Sequence, residues 1–187
     1  MTTVTLTGDV IVLATPFDGA LQCVADQAGD LAGKVVVDIT NPVDWGSFDR
    51  LVTPADSSAG EEIAGRLGEG ARVVKAFNTT FAGTLVAGEV AGQPLDVFVA
   101  ADDEGRQAAG LRARGDRRHA GAGRRSVAGA RQLELLGFLH MALQDRLGTG
   151  DSSGLTLPWL LKDKSIDARG REHLRSGDHL PDLWRPL

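Results

Sequence analysis

Three apolar runs, each stopping abruptly at a small polar cluster, constrain this chain more than any other feature. They are DVIVLATP at 9–16, KVVVDITNP at 34–42 and RVVKAFNTT at 72–80. Branched aliphatic residues in unbroken runs suit strands of a parallel sheet covered on both faces. The clusters that follow them fall along the carboxyl edge, where open α/β sheets bind ligands. Function is therefore sought in Thr15, Pro16, Thr40, Asn41, Pro42, Asn78, Thr79 and Thr80.

The segments between the runs read as helices. Thr15-Pro16-Phe17-Asp18 is a helix start, with Thr15 as N-cap, Pro16 in the first turn and Asp18 near the positive helix end. Leu21, Val24, Ala25 and Ala28 recur at helical spacing, and Cys23 lies on that apolar stripe as a small buried hydrophobe. After the strand Lys34–Ile39 and the Asn41-Pro42 break comes a connection longer than usual, which marks it as a candidate functional loop. Ser58 and Glu61 form a capping box that opens a helix ended by Gly68 and Gly70. A strand at Arg72–Phe77, a short helix around Phe81–Ala87, a turn at 88–94 and a strand at Leu95–Ala100 follow, with Asp102-Asp103 starting another helix. A long helix is expected over 129–146. Its stripe of Leu133, Leu136, His140, Leu143 and Leu147 is widened by Leu135, Phe138, Leu139 and Met141, so it must be buried, with a partner subunit as one candidate cover. Strands alternating with helices imply an α/β fold with right-handed crossovers.

Composition removes several function classes. The single cysteine allows neither an internal disulfide nor a cysteine metal cluster. His119, His140, His173 and His179 lack paired ligand spacing, so no metal is expected, and His140 reads as a satisfied core residue. No apolar run approaches the roughly 18 residues of a membrane helix, and MTTVTLTGD has no signal-peptide pattern. A cytoplasmic protein without a membrane partner is the expectation. The net charge of −5 hides an asymmetry: residues 105–131 carry eight Arg and one Asp. A basic patch is a nucleic-acid footprint. Here, however, the Arg/Gly/Ala/His run at 105–127 has one large aliphatic residue, Leu111, and resembles a GC-rich gene read out of frame, the proper frame resuming near Ala128. With no Tyr and 5% aromatics there is no stacking platform for bases either, so no nucleic-acid partner is expected.

The ordered set DITNP, VVKAFNTTFAGTL, LDVFVAADDE and ARQLELLGFLHMALQDRLGTG is similar to the coenzyme F420-dependent NADP oxidoreductases, over roughly residues 9–104 and 128–150. That resemblance implies a Rossmann-like parallel sheet, NADP and coenzyme F420 as cofactors, and hydride transfer between them. It assigns cofactor positioning to Thr15, Pro16, Asn41, Pro42, Asn78, Thr79 and Thr80, and no general acid or base. Each assignment has a plainer counterpart. Asn41 either holds a nicotinamide carboxamide or a sugar hydroxyl, or satisfies its own turn. Asn78-Thr79-Thr80 and Thr15-Pro16 either meet the redox rings or cap helices. Lys75, the one lysine nearby, reads as structural from its place within the strand.

Three departures accompany the likeness. No GxGxxG lies between a strand and a helix, so the expected chain is a Rossmann-like domain over 1–150 lacking the glycine-rich βαβ half that grips a pyrophosphate. Residues 105–127 replace an expected strand. Residues 151–187, with Trp159 and Trp184, read as a poorly ordered charged tail. Two readings follow: an NADP- and F420-dependent oxidoreductase, with a homodimer formed through the 129–146 helix, or a non-catalytic fragment or degraded copy of a dinucleotide-binding domain.

Overall fold

The structure, a computed structural model, describes residues 5–101, 127, 129–155, 164–166 and 172–174. The chain divides into two units, Met1–Leu155 and Thr156–Leu187. Asp102-Asp103, the basic segment at 105–126 and most of the tail lie outside the described residues.

In the first unit the three apolar runs form β1 (Val10–Leu13), β2 (Val35–Asp38) and β3 (Arg72–Ala76), paired in parallel in that order. Helices α1 (Phe17–Leu31) and α2 (Ala59–Leu67) make the crossovers. Side chains alternate across the central strands. Val36 and Val73 join Leu13, Ala20, Val24, Leu31 and Ile63 in one buried cluster, while Val35, Val37, Val74 and Ala76 join Ala101 in the other. The expectation of coverage on both faces holds for β2 and β3. It fails for β1, which is an edge among the described strands and leaves Val12 53% exposed.

The next strand is shorter than expected and runs the other way. Only Val99–Ala100 (β6) pairs, antiparallel to β3 through Lys75↔Ala100 and Ala76↔Val99. The cause is reach. Helix α3 (Ala82–Ala87) has six residues and rises about 9 Å. Strand β3, five residues long, spans about 16 Å, so α3 is too short to return the chain to its starting edge. A two-stranded ribbon of β4 (Glu89–Val90) and β5 (Gln93–Pro94) then turns on Ala91 and Gly92, both at positive φ, and the chain re-enters the sheet from the carboxyl side.

The helix starts follow their sequence signals unevenly. Ser58 caps α2 as expected: its Oγ accepts from the Glu61 backbone N–H at 3.1 Å and donates to the Glu61 carboxylate at 2.9 Å. Thr15 does not cap α1. Pro16 occupies the cap position, and the Thr15 hydroxyl donates to the Pro16 carbonyl at 3.2 Å. Cys23 is half-buried against the first cluster.

Helix α4 (Ala130–Leu147) buries Leu133 and His140 of its expected stripe, but its inner face is more polar than hydrophobicity suggested. Leu133, Glu134, Gly137, His140 and Gln144 point inward, whereas Leu135, Leu139 and Leu147 are more than half exposed. The reason is the surface beneath: α4 lies over the polar rim of β2 and β3, so its polar residues meet partners there. Gly148 ends the helix in left-handed geometry. Among the described residues no helix is long and apolar enough to cross a membrane. In the second unit, β7 (Lys164–Ile166) and β8 (Glu172–Leu174) pair as an antiparallel ribbon.

Candidate functional site

The register of β2 and β3 decides which rim residues meet. Asp38 pairs with Lys75, and the same offset carried past the strand ends sets Asn41 beside Asn78. Asn41 Nδ2 donates to the Asn78 carbonyl at 3.0 Å; Asn78 Nδ2 donates to Asn41 Oδ1 at 3.3 Å and to the Leu133 carbonyl of α4 at 2.8 Å. Phe77, immediately before, sits at φ +64°, a strained conformation for an aromatic residue. That kink ends β3 one residue short of the expected Phe77 and swings Asn78 under α4. Gly137 makes the close approach possible. A Cβ there would lie 2.8 Å from the Asn78 carbonyl oxygen, 2.9 Å from Asn78 Nδ2 and 3.0 Å from Asn41 Oδ1.

Around this pair four buried polar atoms have no hydrogen-bond partner among the described residues: Thr40 Oγ1, Asn78 Oδ1, Thr79 Oγ1 and Thr80 Oγ1. Native interiors satisfy nearly all such groups. Four orphans on two adjacent rim segments therefore point to something else that pairs with them. Behind them, the Thr79 carbonyl lies 3.3 Å from His140 Nδ1, and His140 Nε2 lies 2.8 Å from Ser153 Oγ. His140 is thus a satisfied buried residue, with the Phe81 ring 5.0 Å away.

Pro42 is buried, and its carbonyl accepts from Val52 N–H at 2.7 Å. The long loop after it closes on itself through a Val43↔Leu51 bridge. Asp44 accepts two bonds from the Arg50 guanidinium, which holds its carboxyl below the ordinary value, helped by the Gly46 and Ser47 amides. The loop tip carries Trp45 and Phe48, whose rings stack on toward Phe138 of α4 at centroid spacings of 5.8 and 5.7 Å. Thr15 and Pro16 are exposed at the end of β1 and make no bond to the Asn41–Asn78 cluster among those described. A groove of about 520 Å³ between α3, the β4–β5 ribbon and residues 149–152 contains none of the seven expected positioning residues.

Sequence reasoning missed a buried charge cluster under the rim. Lys75, Asp38 and Glu134 are each fully buried. Lys75 Nζ lies 2.8 Å from Asp38 Oδ2 and 2.9 Å from Glu134 Oε1, and donates to the Thr40 carbonyl at 2.7 Å. Glu134 also accepts from the first amides of α2, Ala59 at 3.0 Å and Gly60 at 3.3 Å. The signal for Asp38 and Lys75 was present, since both are charges inside apolar strand runs. Glu134 had none before the helix face was known.

Burial pushes the Glu134 carboxyl above its ordinary value of 4.5, against the pull of Lys75 and the Ala59 amide. A raised acid binds its proton more tightly folded than unfolded. Its stabilising share is present below that ordinary value and fades as pH rises through the folded one. Glu134→Gln is therefore expected to flatten the decline of stability above about pH 4.5, as read from urea melts across that range.

No family model matches the chain, and no curated protein does. Among solved structures, a protein from Arthrobacter sp. FB24 described provisionally as an F420-dependent NADP-reductase is similar, with 28% identity and a TM-score of 0.64. The match covers 77% of this chain and 67% of that one. This chain resembles an F420-dependent NADP-reductase in sequence and in fold. The likeness read from DITNP and VVKAFNTT therefore extends to the three-dimensional arrangement, an α/β fold with a mostly parallel sheet and flanking helices. A hypothetical protein from Sinorhizobium meliloti is 32% identical over 56% of this chain and 51% of its own, with a TM-score of 0.48.

Proposed function

We propose that the chain is an oxidoreductase that positions NADPH against the deazaflavin coenzyme F420 at the carboxyl rim of β2 and β3. The observation that carries this is the set of orphaned buried atoms on Thr40, Asn78, Thr79 and Thr80. A primary carboxamide such as that of nicotinamide presents one acceptor and two donors. Asn78 Oδ1 can accept from it, and the three hydroxyls can donate or accept. The donor and acceptor types present match those of the group.

When bound, the cofactors supply the hydride chemistry, and the protein supplies orientation and exclusion of water. Asn41 and Asn78 fix each other and tie the rim to α4. Pro42 holds the turn that follows Asn41, and Thr79 and Thr80 offer their hydroxyls. Thr15 and Pro16 flank the same edge one strand away. The expected result is saturable binding of NADPH, seen by fluorescence or calorimetry. Thr79→Val should weaken it about fivefold, the worth of roughly one neutral hydrogen bond. An unchanged affinity in Thr79→Val would remove the orphaned hydroxyl from the site.

A second reading, a domain that keeps the fold without binding a dinucleotide, is favoured by one observation. β1 turns into α1 through Ala14-Thr15-Pro16 with no glycine to let a pyrophosphate approach. Failure to saturate at millimolar NADPH is the result that reading expects. For assembly, we assign the exposed Leu135 and Leu139 of α4 to a homodimer face. Sedimentation should then show a dimer that Leu139→Glu converts to monomer.

A further inference from the structure

Full burial makes a lysine an unusual choice in a strand whose other buried positions are Val73, Val74 and Ala76. A hydrophobic residue of similar volume would often stabilise such a position as well or better. What sets Lys75 apart is the destination of its three donors. Two go to carboxylates, and the third leaves the ion cluster for the Thr40 carbonyl at 2.7 Å. Asp38 Oδ1 meanwhile accepts from the Thr40 backbone N–H at 2.8 Å. One ion pair thus holds both polar backbone groups of a single residue, each through a charge-assisted bond. Thr40 precedes Asn41-Pro42, where the proline already narrows the backbone of Asn41. The direction in which Asn41 leaves the sheet therefore depends on the Thr40 peptide.

We propose that Lys75, together with Asp38, is a positioning residue for the ligand-facing rim: the pair clamps Thr40 so that Asn41 meets Asn78 and the Thr40 hydroxyl is left unpaired for a ligand. Neither charge touches the ligand. The clamp explains why a charge pair persists where apolar packing was available, and why its third bond goes to the rim rather than to another core group. This inference rests on the redox reading above and adds to it the residues that shape the site from below.

Three variants of the full chain test it, with NADPH as the probe. Asp38→Asn leaves Lys75 balanced by Glu134 alone and should fold, while slackening the hold on Thr40. Adding Lys75→Met to Asp38→Asn removes both clamp charges. Ser58→Ala strips the α2 cap without touching Thr40 and reports what simple destabilisation does. The expected Kd is about threefold weaker for Asp38→Asn and at least about tenfold weaker for the double variant, with Ser58→Ala unchanged. In steady-state turnover with coenzyme F420, the KM for NADPH should rise more than kcat falls. The proposal is overturned if the folded variants bind NADPH as the wild type does, or if affinity simply tracks melting temperature across all three. Should the double variant not fold, Asp38→Asn alone decides by the same criterion. A wild type that never saturates overturns the redox reading and the clamp with it, a result distinct from saturable binding that the variants leave unchanged.

Discussion

Replacing Lys75 by methionine is expected to cost about 3–5 kcal/mol of stability, the usual penalty for breaking a buried ion pair from one side. Against a typical total of roughly 5–15 kcal/mol, that is enough to unfold a marginal domain. The magnitude follows from what remains. Asp38 and Glu134 would face one another fully buried with no cation between them, and the Thr40 carbonyl would lose its donor. Methionine fills similar volume, so little of the loss comes from a cavity. The deficit should shrink in acid. Burial already raises the Glu134 carboxyl against the pull of Lys75, so with Lys75 gone the penalty fades as pH falls through that raised value. Urea melts of Lys75→Met at neutral and mildly acidic pH measure both effects. A loss below about 1 kcal/mol at neutral pH would contradict the buried, unpaired carboxylates on which the argument depends.

Gly137→Ala should also destabilise, by about 1–3 kcal/mol, although glycine to alanine inside a helix ordinarily helps by up to about 1 kcal/mol. Two effects compete, and contact distances decide between them. The added methyl would sit under 3.0 Å from two atoms of Asn78, one of them the backbone carbonyl that Asn41 also holds. A backbone oxygen fixed by another bond cannot yield as the end of a flexible side chain can. The methyl therefore either lifts α4 or separates the two asparagines. Gly65 of α2 is the natural comparison, since a Cβ there meets nothing within 4 Å. Gly65→Ala should stabilise by about 0.5–1 kcal/mol. Thermal melts with opposite shifts for the two substitutions would separate helix propensity from crowding. NADPH binding should weaken only in Gly137→Ala.

What could be read without coordinates was what local chemistry dictates. The branched runs of β2 and β3, the crossover helices and the Ser58–Glu61 cap are determined by neighbouring residues, and they appear where the pattern put them. The polar rim was legible too, because a strand that stops at Asn41-Pro42 or Asn78-Thr79 has to deliver those groups to an edge. The direction of β6 was not, since it depends on how far the six-residue α3 can carry the chain. The buried face of α4 was read only in part for a related reason: Leu133 and His140 go in as expected, but the widening Leu135 and Leu139 do not. Helical periodicity ranks faces by hydrophobicity, whereas this helix packs on amides and charges, so Glu134 and Gln144 go in while Leu139 stays out. Gly137 carried no signal at all, because its meaning lies in atoms some sixty and ninety-six residues earlier in the chain. Thr15, legible as a cap, turned its hydroxyl to the Pro16 carbonyl instead.

The sheet also bears on how this chain reaches its native state. Its ladders join Val10 to Val35, Val35 to Arg72 and Lys75 to Ala100, so among the described residues none of the four strands β1, β2, β3 and β6 pairs with its neighbour across a tight hairpin. Each pairing must close a long loop before any ladder bond offsets the lost chain entropy. Folding should accordingly be slow for a domain of this size. During that interval valine-rich segments such as Val35–Val37 lie uncovered, and recovery on refolding should fall steeply as protein concentration rises.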